Sequence, residues 1–157
     1  MILLASIITV LQYYLAFFYF KLPGIQLIQY LGWVVWLLSL YLGFAPIFIL
    51  RARGSIPQGK PYTETTRLVD SNLYAIIRHP QYTAGIVFNF AMCLLAQHWL
   101  VWLLGGASIL LLYLDIQEAD QEGIRKFGSA YQEYMQRVPQ INLVAGLYRY
   151  LKNENIL

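Results

Sequence analysis

Charge is what this sequence has least of. Asp, Glu, Lys and Arg make up 12% of its 157 residues while 59% are hydrophobic, which is far from the balance of an ordinary soluble domain. Cysteine is nearly absent: Cys93 stands alone, so no intrachain disulfide framework is available. Glycine and proline are also modest, at eleven and six, and 16% of the residues are aromatic, a composition that excludes collagen-like, low-complexity and disordered chains. No G-x-G-x-x-G follows a strand pattern, and charge-free stretches fill more than half the chain, so a soluble dinucleotide-type enzyme is excluded as well.

What the sequence does have is long runs without a formal charge. Ile2 to Phe20 is interrupted only by Gln12 as a strongly polar residue, and at about 1.5 Å per residue it reaches across about 30 Å of hydrocarbon. Lacking a basic leader and a small-residue cleavage site, it reads as a crossing and not as a cleaved signal. Ile25 to Leu50 is the second run; Pro46 near its end is expected to kink the helix and release carbonyls there. From Gln81 to Leu114 there are 34 residues without Asp, Glu, Lys or Arg, a helix of roughly 50 Å and too long for one crossing. The polar pair Gln97-His98 predicts a turn between two helices, about Tyr82 to Ala96 and about Trp99 to Asp115, with Trp99 and Trp102 at an interface.

The expected architecture is therefore all-α: an integral membrane bundle of four transmembrane helices, the third and fourth a helical hairpin, with a C-terminal helical cap. It is one domain, in which 1–50 holds two crossings, 51–81 a cytoplasmic connector, and 82–157 the hairpin and the C-terminal part. Four crossings put Lys21-Pro23 and Gln97-Trp99 on one side and both termini on the other. Ten of the eleven basic residues share that second side, which the positive-inside rule makes cytoplasmic. All eight acids fall there too, so the polar chemistry belongs to the cytoplasmic face. A basic patch with aromatics at a membrane face needs no nucleic acid to explain it.

Three cytoplasmic stretches carry candidate chemistry. In Leu68 to Tyr82, Asp70 or Ser71 is expected to cap a helical turn running to Ile77, and Pro80 keeps His79 extended. Arg78, His79 and Tyr82 then sit at the membrane edge. Singly they are a snorkelling arginine, a satisfied histidine and an interfacial tyrosine; together beside a fixed proline they read as a site. After the fourth crossing, Asp115, Glu118 and Glu122 are spaced for one helix face and Asp120 points elsewhere; the plain reading is a solvated face. In Lys126 to Pro139, Gly128 ends one helix, Ser129 can cap the next, and Phe127, Tyr131 and Tyr134 share an aromatic face, a pattern more often packing than a ligand cage. Pro139 stops that helix, and Leu143 to Leu151 suits an amphipathic interfacial helix.

The order L-V-x-x-N-x-Y-x-x-x-R-H-P-x-Y, an acidic helix, then F-G-x-x-Y-x-x-Y-x-x-x-V-P resembles the isoprenylcysteine carboxyl methyltransferase family and its phospholipid methyltransferase relatives. The resemblance covers Leu68 to Pro139, 72 of the 157 residues. This chain departs from the pattern at Asn72, at Ala84 with Gly85 following, at Gln140 where an arginine is frequent, and in the looser acidic run from Glu118 to Glu122. The resemblance implies an integral membrane enzyme that transfers a methyl group from S-adenosyl-L-methionine to a lipophilic or lipid-anchored acceptor in the membrane at its cytoplasmic face, without a metal.

By the same resemblance, Arg78, His79, Pro80, Tyr82 and Gly85 hold the cofactor, Glu118 meets its ammonium or ribose, and Tyr131, Tyr134, Val138 and Pro139 close over it. Glu118 and Arg137 are the implied catalytic residues, Arg137 neutralising an acidic acceptor. Prenylcysteine and aminophospholipid acceptors both stay open. Membrane sterol reductases, which use NADPH, look similar at the R-H-P-x-Y end but are usually longer, and a non-catalytic membrane scaffold is the remaining alternative.

Overall fold

The computed structural model describes residues 1–20 and 24–154, so the turn expected at Lys21-Pro23 lies outside the described residues. Every regular element among the described residues is helical. The elements are α1 (Ile2–Tyr14), continued by a π-helical turn (Leu15–Tyr19), α2 (Gln26–Arg53), α3 (Leu73–Ile76), α4 (Pro80–Ala96), α5 (Trp99–Phe127), α6 (Ser129–Arg137) and α7 (Leu143–Glu154). Three stretches are long and apolar enough to cross a membrane: Ile2–Tyr19, Gln26–Arg53 and Trp99–Phe127. The α4 helix is apolar but shorter, at 17 residues. Leu3, Val10, Leu27, Leu37 and Leu103 all point outward from these helices, as they should where the surrounding medium is lipid.

Sequence explains where the helices begin and stop. Pro80 opens α4, where its missing N–H costs nothing. Gln97, in a left-handed conformation (φ 48°), and His98 separate α4 from α5. The α5 helix runs past the predicted boundary at Asp115 to Phe127, with Arg125 and Lys126 in its last turn, where cations offset the helix dipole. The α2 helix continues through Pro46, whose ring is fully buried.

The chain packs as two compact units, each assembled from two stretches: Met1–Leu42 with Tyr82–Glu118, and Gly43–Gln81 with the chain from Ala119 onward. In the first, Ala91, Met92, Cys93 and Ala96 of α4 and Val101 of α5 form a core, against which Phe17, Val35 and Trp36 pack. Polar side chains bind these helices together. Thr9 of α1 lies 2.7 Å from the Ser108 hydroxyl and 3.2 Å from the Asn89 amide oxygen. The fully buried Gln12 donates through Nε2 to the carbonyls of Asn89 (3.1 Å) and Val101 (3.0 Å). Such bonds stabilise helix association where the hydrophobic effect gives none. The Gln97 amide holds both the N–H and the carbonyl of Ile25, each at 3.0 Å.

The second unit contains α3, α6, α7 and the ends of α2 and α5. Its core is Tyr131, Tyr134 and Val138, with Leu68, Ile124, Phe127 and Met135 packed around them. Helix α7 lies against α3 so closely that a Cβ on Gly146 would strike the carbonyl of Ile76, and Arg149 Nη2 donates to the Ala75 carbonyl at 2.5 Å. The opposite face of α7 exposes Val144, Leu147, Tyr148 and Leu151, the amphipathic stripe expected of an interfacial helix.

Close approach in the first unit depends on Gly105, where a Cβ would come within 2.5 Å of Gln12 Nε2 and 2.8 Å of Cys93 Sγ, whereas neighbouring Gly106 faces open space. Gly105→Val is expected to destabilise the protein by about 1–3 kcal/mol, while Gly106→Ala has no measurable cost. Thermal unfolding of both variants in detergent micelles checks this; equal stability would contradict it.

Candidate functional site

The site of the second unit is organised by one carboxylate. Arg78 Nη2 lies 3.1 Å from Asp120 Oδ2, and His79 Nε2 lies 2.7 Å from Oδ1. Tyr131 donates its hydroxyl to Oδ1 at 2.8 Å, and Gln140 Nε2 donates to Oδ2 at 2.8 Å. Both charged side chains are nearly withdrawn from solvent, at 8% exposure for Arg78 and 6% for Asp120. A charge at that depth is tolerable because it is paired and because its remaining lone pairs are filled.

Backbone pairing brings the donors to this point. Ile77, at the end of α3, is extended (φ −138°, ψ 145°). Arg78 N–H then donates to the Pro139 carbonyl (3.0 Å) and His79 N–H to the Gln140 carbonyl (3.2 Å). The R-H-P stretch and the V-P stretch are therefore laid side by side. Gly128 (φ 59°) turns the chain from α5 into α6, and Gly123 leaves room for the Tyr131 ring, which a Cβ there would strike. Phe127, Tyr131 and Tyr134 share one face as expected, with ring centroids 6.5 and 5.7 Å apart in succession. Tyr134 donates to the Tyr74 carbonyl at 2.7 Å.

These tyrosines are buried hydrogen-bond donors. Burial first, and the Asp120 carboxylate second, push the Tyr131 phenol well above its ordinary range. Burial does the same for Tyr134, with Tyr131 adding to it. Both hydroxyls therefore keep their protons at any physiological pH.

The predicted residues divide between the units. Arg78, His79, Pro80, Tyr131, Tyr134, Arg137, Val138 and Pro139 belong to the second; Tyr82, Gly85 and Glu118 belong to the first. Arg78, His79 and Tyr131 meet at Asp120, Pro139 contributes its carbonyl, and Tyr134 and Val138 are core. Pro80 is buried at the start of α4. Arg137 is exposed and lies 3.8 Å from Asp70. In the first unit, Tyr82 donates to Asp115 at 3.2 Å, and Gly85 gives close packing, since a Cβ there would lie 3.0 Å from Leu112. Glu118 and Glu122 are exposed.

The structure departs from the sequence expectations at one carboxylate and at two helix caps. The carboxylate that receives Arg78 and His79 is Asp120, an acid absent from the predicted site residues; it does point away from the side of Glu118 and Glu122, being buried where they are exposed. Neither Asp70 nor Ser71 caps α3: Asn72 occupies the cap position at φ 57° without a side-chain hydrogen bond, while Asp70 lies by Arg137 and Ser71 accepts from Arg53. Ser129 is the first residue of α6 and makes no side-chain cap, Gly128 holding that position. Gln140, in sequence only a departure from the family pattern, contributes its amide to the site. Its signal was position, immediately after the Val-Pro stop.

No family model, curated protein or solved structure matches the chain.

Asp120→Asn removes the charge that Arg78 faces and is expected to cost about 3 kcal/mol, against no more than about 0.5 kcal/mol for the exposed Glu118→Gln. Thermal unfolding of the two variants side by side measures the difference. Comparable losses would mean that Asp120 has no special place.

Proposed function

We propose that this chain is a multi-pass integral membrane methyltransferase, similar to the isoprenylcysteine carboxyl methyltransferases, that uses S-adenosyl-L-methionine to methylate a lipophilic acceptor at the cytoplasmic face. One observation carries the reading: the two separated stretches of the resemblance, R-H-P and Y-x-x-Y-x-x-x-V-P, are joined through Asp120 and through paired backbone at 78–79 and 139–140. In this reading four helices cross the bilayer, α4 and α5 turning back at Gln97-His98, and the ten basic residues clustered by sequence face the cytosol with both termini. The exposed apolar stripe of α7 lies along the membrane surface.

Arg78 fits such a cofactor at the level of a single atom. Its Nη2 is committed to Asp120, while its Nε is buried and meets no protein acceptor, a donor free to receive a carboxylate. Bound there, the cofactor supplies an electrophilic methyl on sulfur. Asp120 holds the guanidinium and the His79 ring in fixed orientation, and Tyr131 and Gln140 keep that carboxylate in place. By the resemblance alone, Glu118 supplies an anion for the ammonium, and Arg137 a cation for an acidic acceptor. A carboxylate acceptor needs no general base. An amine needs one, and His79 or Glu118 would serve. Fixed alignment of acceptor and methyl contributes to the rate without a covalent intermediate.

Calorimetric titration of S-adenosyl-L-methionine into the full-length protein in neutral micelles tests the proposal. Binding is expected, with Arg78→Ala weakening it about 10- to 100-fold, the value of one charge-assisted hydrogen bond. Labelled cofactor should pass its methyl to a lipid in a native membrane extract. Absence of heat, or heat with NADPH instead, contradicts the reading.

A further inference from the structure

Away from Asp120, the second unit holds a cleft of about 330 Å³, within the range of small-ligand pockets, roughly 300–1,000 Å³. One wall is Ala52, Arg53 and Ser55 at the end of α2; the other is Arg67, Asp70 and Ser71. The walls are held at the neck of the loop between them. Gly54 N–H donates to the Leu50 carbonyl (2.7 Å), the Gly54 carbonyl accepts from the N–H groups of Thr66 (3.0 Å) and Arg67 (3.2 Å), and the Thr66 hydroxyl donates to the Ser55 carbonyl (2.6 Å). The neck tolerates no side chain at Gly54, where a Cβ would strike the Thr65 methyl. Across the cleft, Arg53 Nη1 donates to the Ser71 hydroxyl at 2.8 Å.

The charge in this cleft is uneven. Neither Arg53 nor Arg67 forms an ion pair among the described residues. The one acid, Asp70, lies 3.8 Å from Arg137, with both side chains at least half exposed. That pair adds little stability, but it offsets the only negative charge. A snorkelling role at the end of a membrane-long helix explains Arg51 and Arg53. It does not explain why Arg67, from the far side of the thirteen residues 54–66, lines the same cleft. Two guanidiniums on opposite walls suit a tetrahedral oxyanion, which each can grip with paired N–H groups. The cleft lies at the end of α2, a helix long and apolar enough to cross a bilayer, and phosphodiesters lie at that depth.

We infer that this cleft binds a phosphate group through Arg53 and Arg67, independently of any methyl transfer. Full-length protein in maltoside micelles is titrated calorimetrically with dihexanoylphosphatidylglycerol, with dihexanoylglycerol, which lacks the phosphate, and with inorganic phosphate. The phospholipid is expected to bind and dihexanoylglycerol is not. Arg53→Gln with Arg67→Gln weakens binding at least tenfold, and Asp70→Asn tightens it. Arg51→Gln, at the same helix end but outside the lining, leaves it within twofold. Inorganic phosphate that binds and competes identifies a soluble phosphate as the occupant; a phosphate that does not compete identifies the lipid. Equal binding of the two lipids, an unchanged affinity in the double arginine variant, weaker binding in Asp70→Asn, or no binding of either phosphate-bearing probe overturns the inference.

Discussion

Four donors converge on the Asp120 carboxylate, and the cytoplasmic chemistry proposed for this protein depends on them. They come from three places in the sequence: 78 and 79 ahead of α4, 131 on α6, and 140 beyond its end. Each segment alone is short and has little to hold it. Residues 78–79 and 139–140 pair through two backbone hydrogen bonds, far fewer than a sheet would provide, so side chains must complete the attachment. A buried carboxylate with Arg78 beside it does so because no member can leave without stranding the others in a medium that solvates ions poorly. Specificity of arrangement is what such a network contributes, more than raw stability.

The same constraint acts in the first unit without formal charge. Thr9, Gln12, Asn89 and Ser108 tie α1 to α4 and α5 through hydrogen bonds, because polar groups surrounded by apolar helices gain most by meeting one another. Gly105 permits it by bringing α5 within reach of Gln12 and Cys93. Polar residues inside long apolar helices are thus attachment points, and the outward faces carry the leucines, valines and aromatics that suit lipid.

Much of the helix plan was legible because hydropathy reports it directly. The charge-free runs became α1, α2, α4 and α5, and the Gln97-His98 interruption fell where α4 and α5 part. Gly128 and Pro139 marked the ends of α5 and α6 for local reasons of backbone geometry. What periodicity could not report was which face of α5 would find a partner. Asp115, Glu118 and Glu122 are spaced for one face, yet Asp115 is buried while Glu118 and Glu122 are exposed; spacing alone treats three such acids as more telling than one acid elsewhere, and Asp120 was the residue opposite the arginine. Gly123 was illegible, and Gln140 legible only by its place after Val-Pro, for a related reason: their roles exist only once Tyr131 and the 139–140 stretch have folded back. Caps failed at Ser71 and Ser129 because the cap positions fall one residue away, on Asn72 and Gly128, each with positive φ and no side-chain cap bond, while the Ser71 hydroxyl accepts from Arg53.

A double-mutant cycle between Arg78 and Asp120, read by equilibrium unfolding of the full-length protein in micelles, tests the central claim most directly. The arrangement described predicts that Arg78→Ala and Asp120→Asn are strongly non-additive, with a coupling of about 1–3 kcal/mol. Additive losses, within about 0.3 kcal/mol, would show that the two side chains do not depend on each other and would contradict the account.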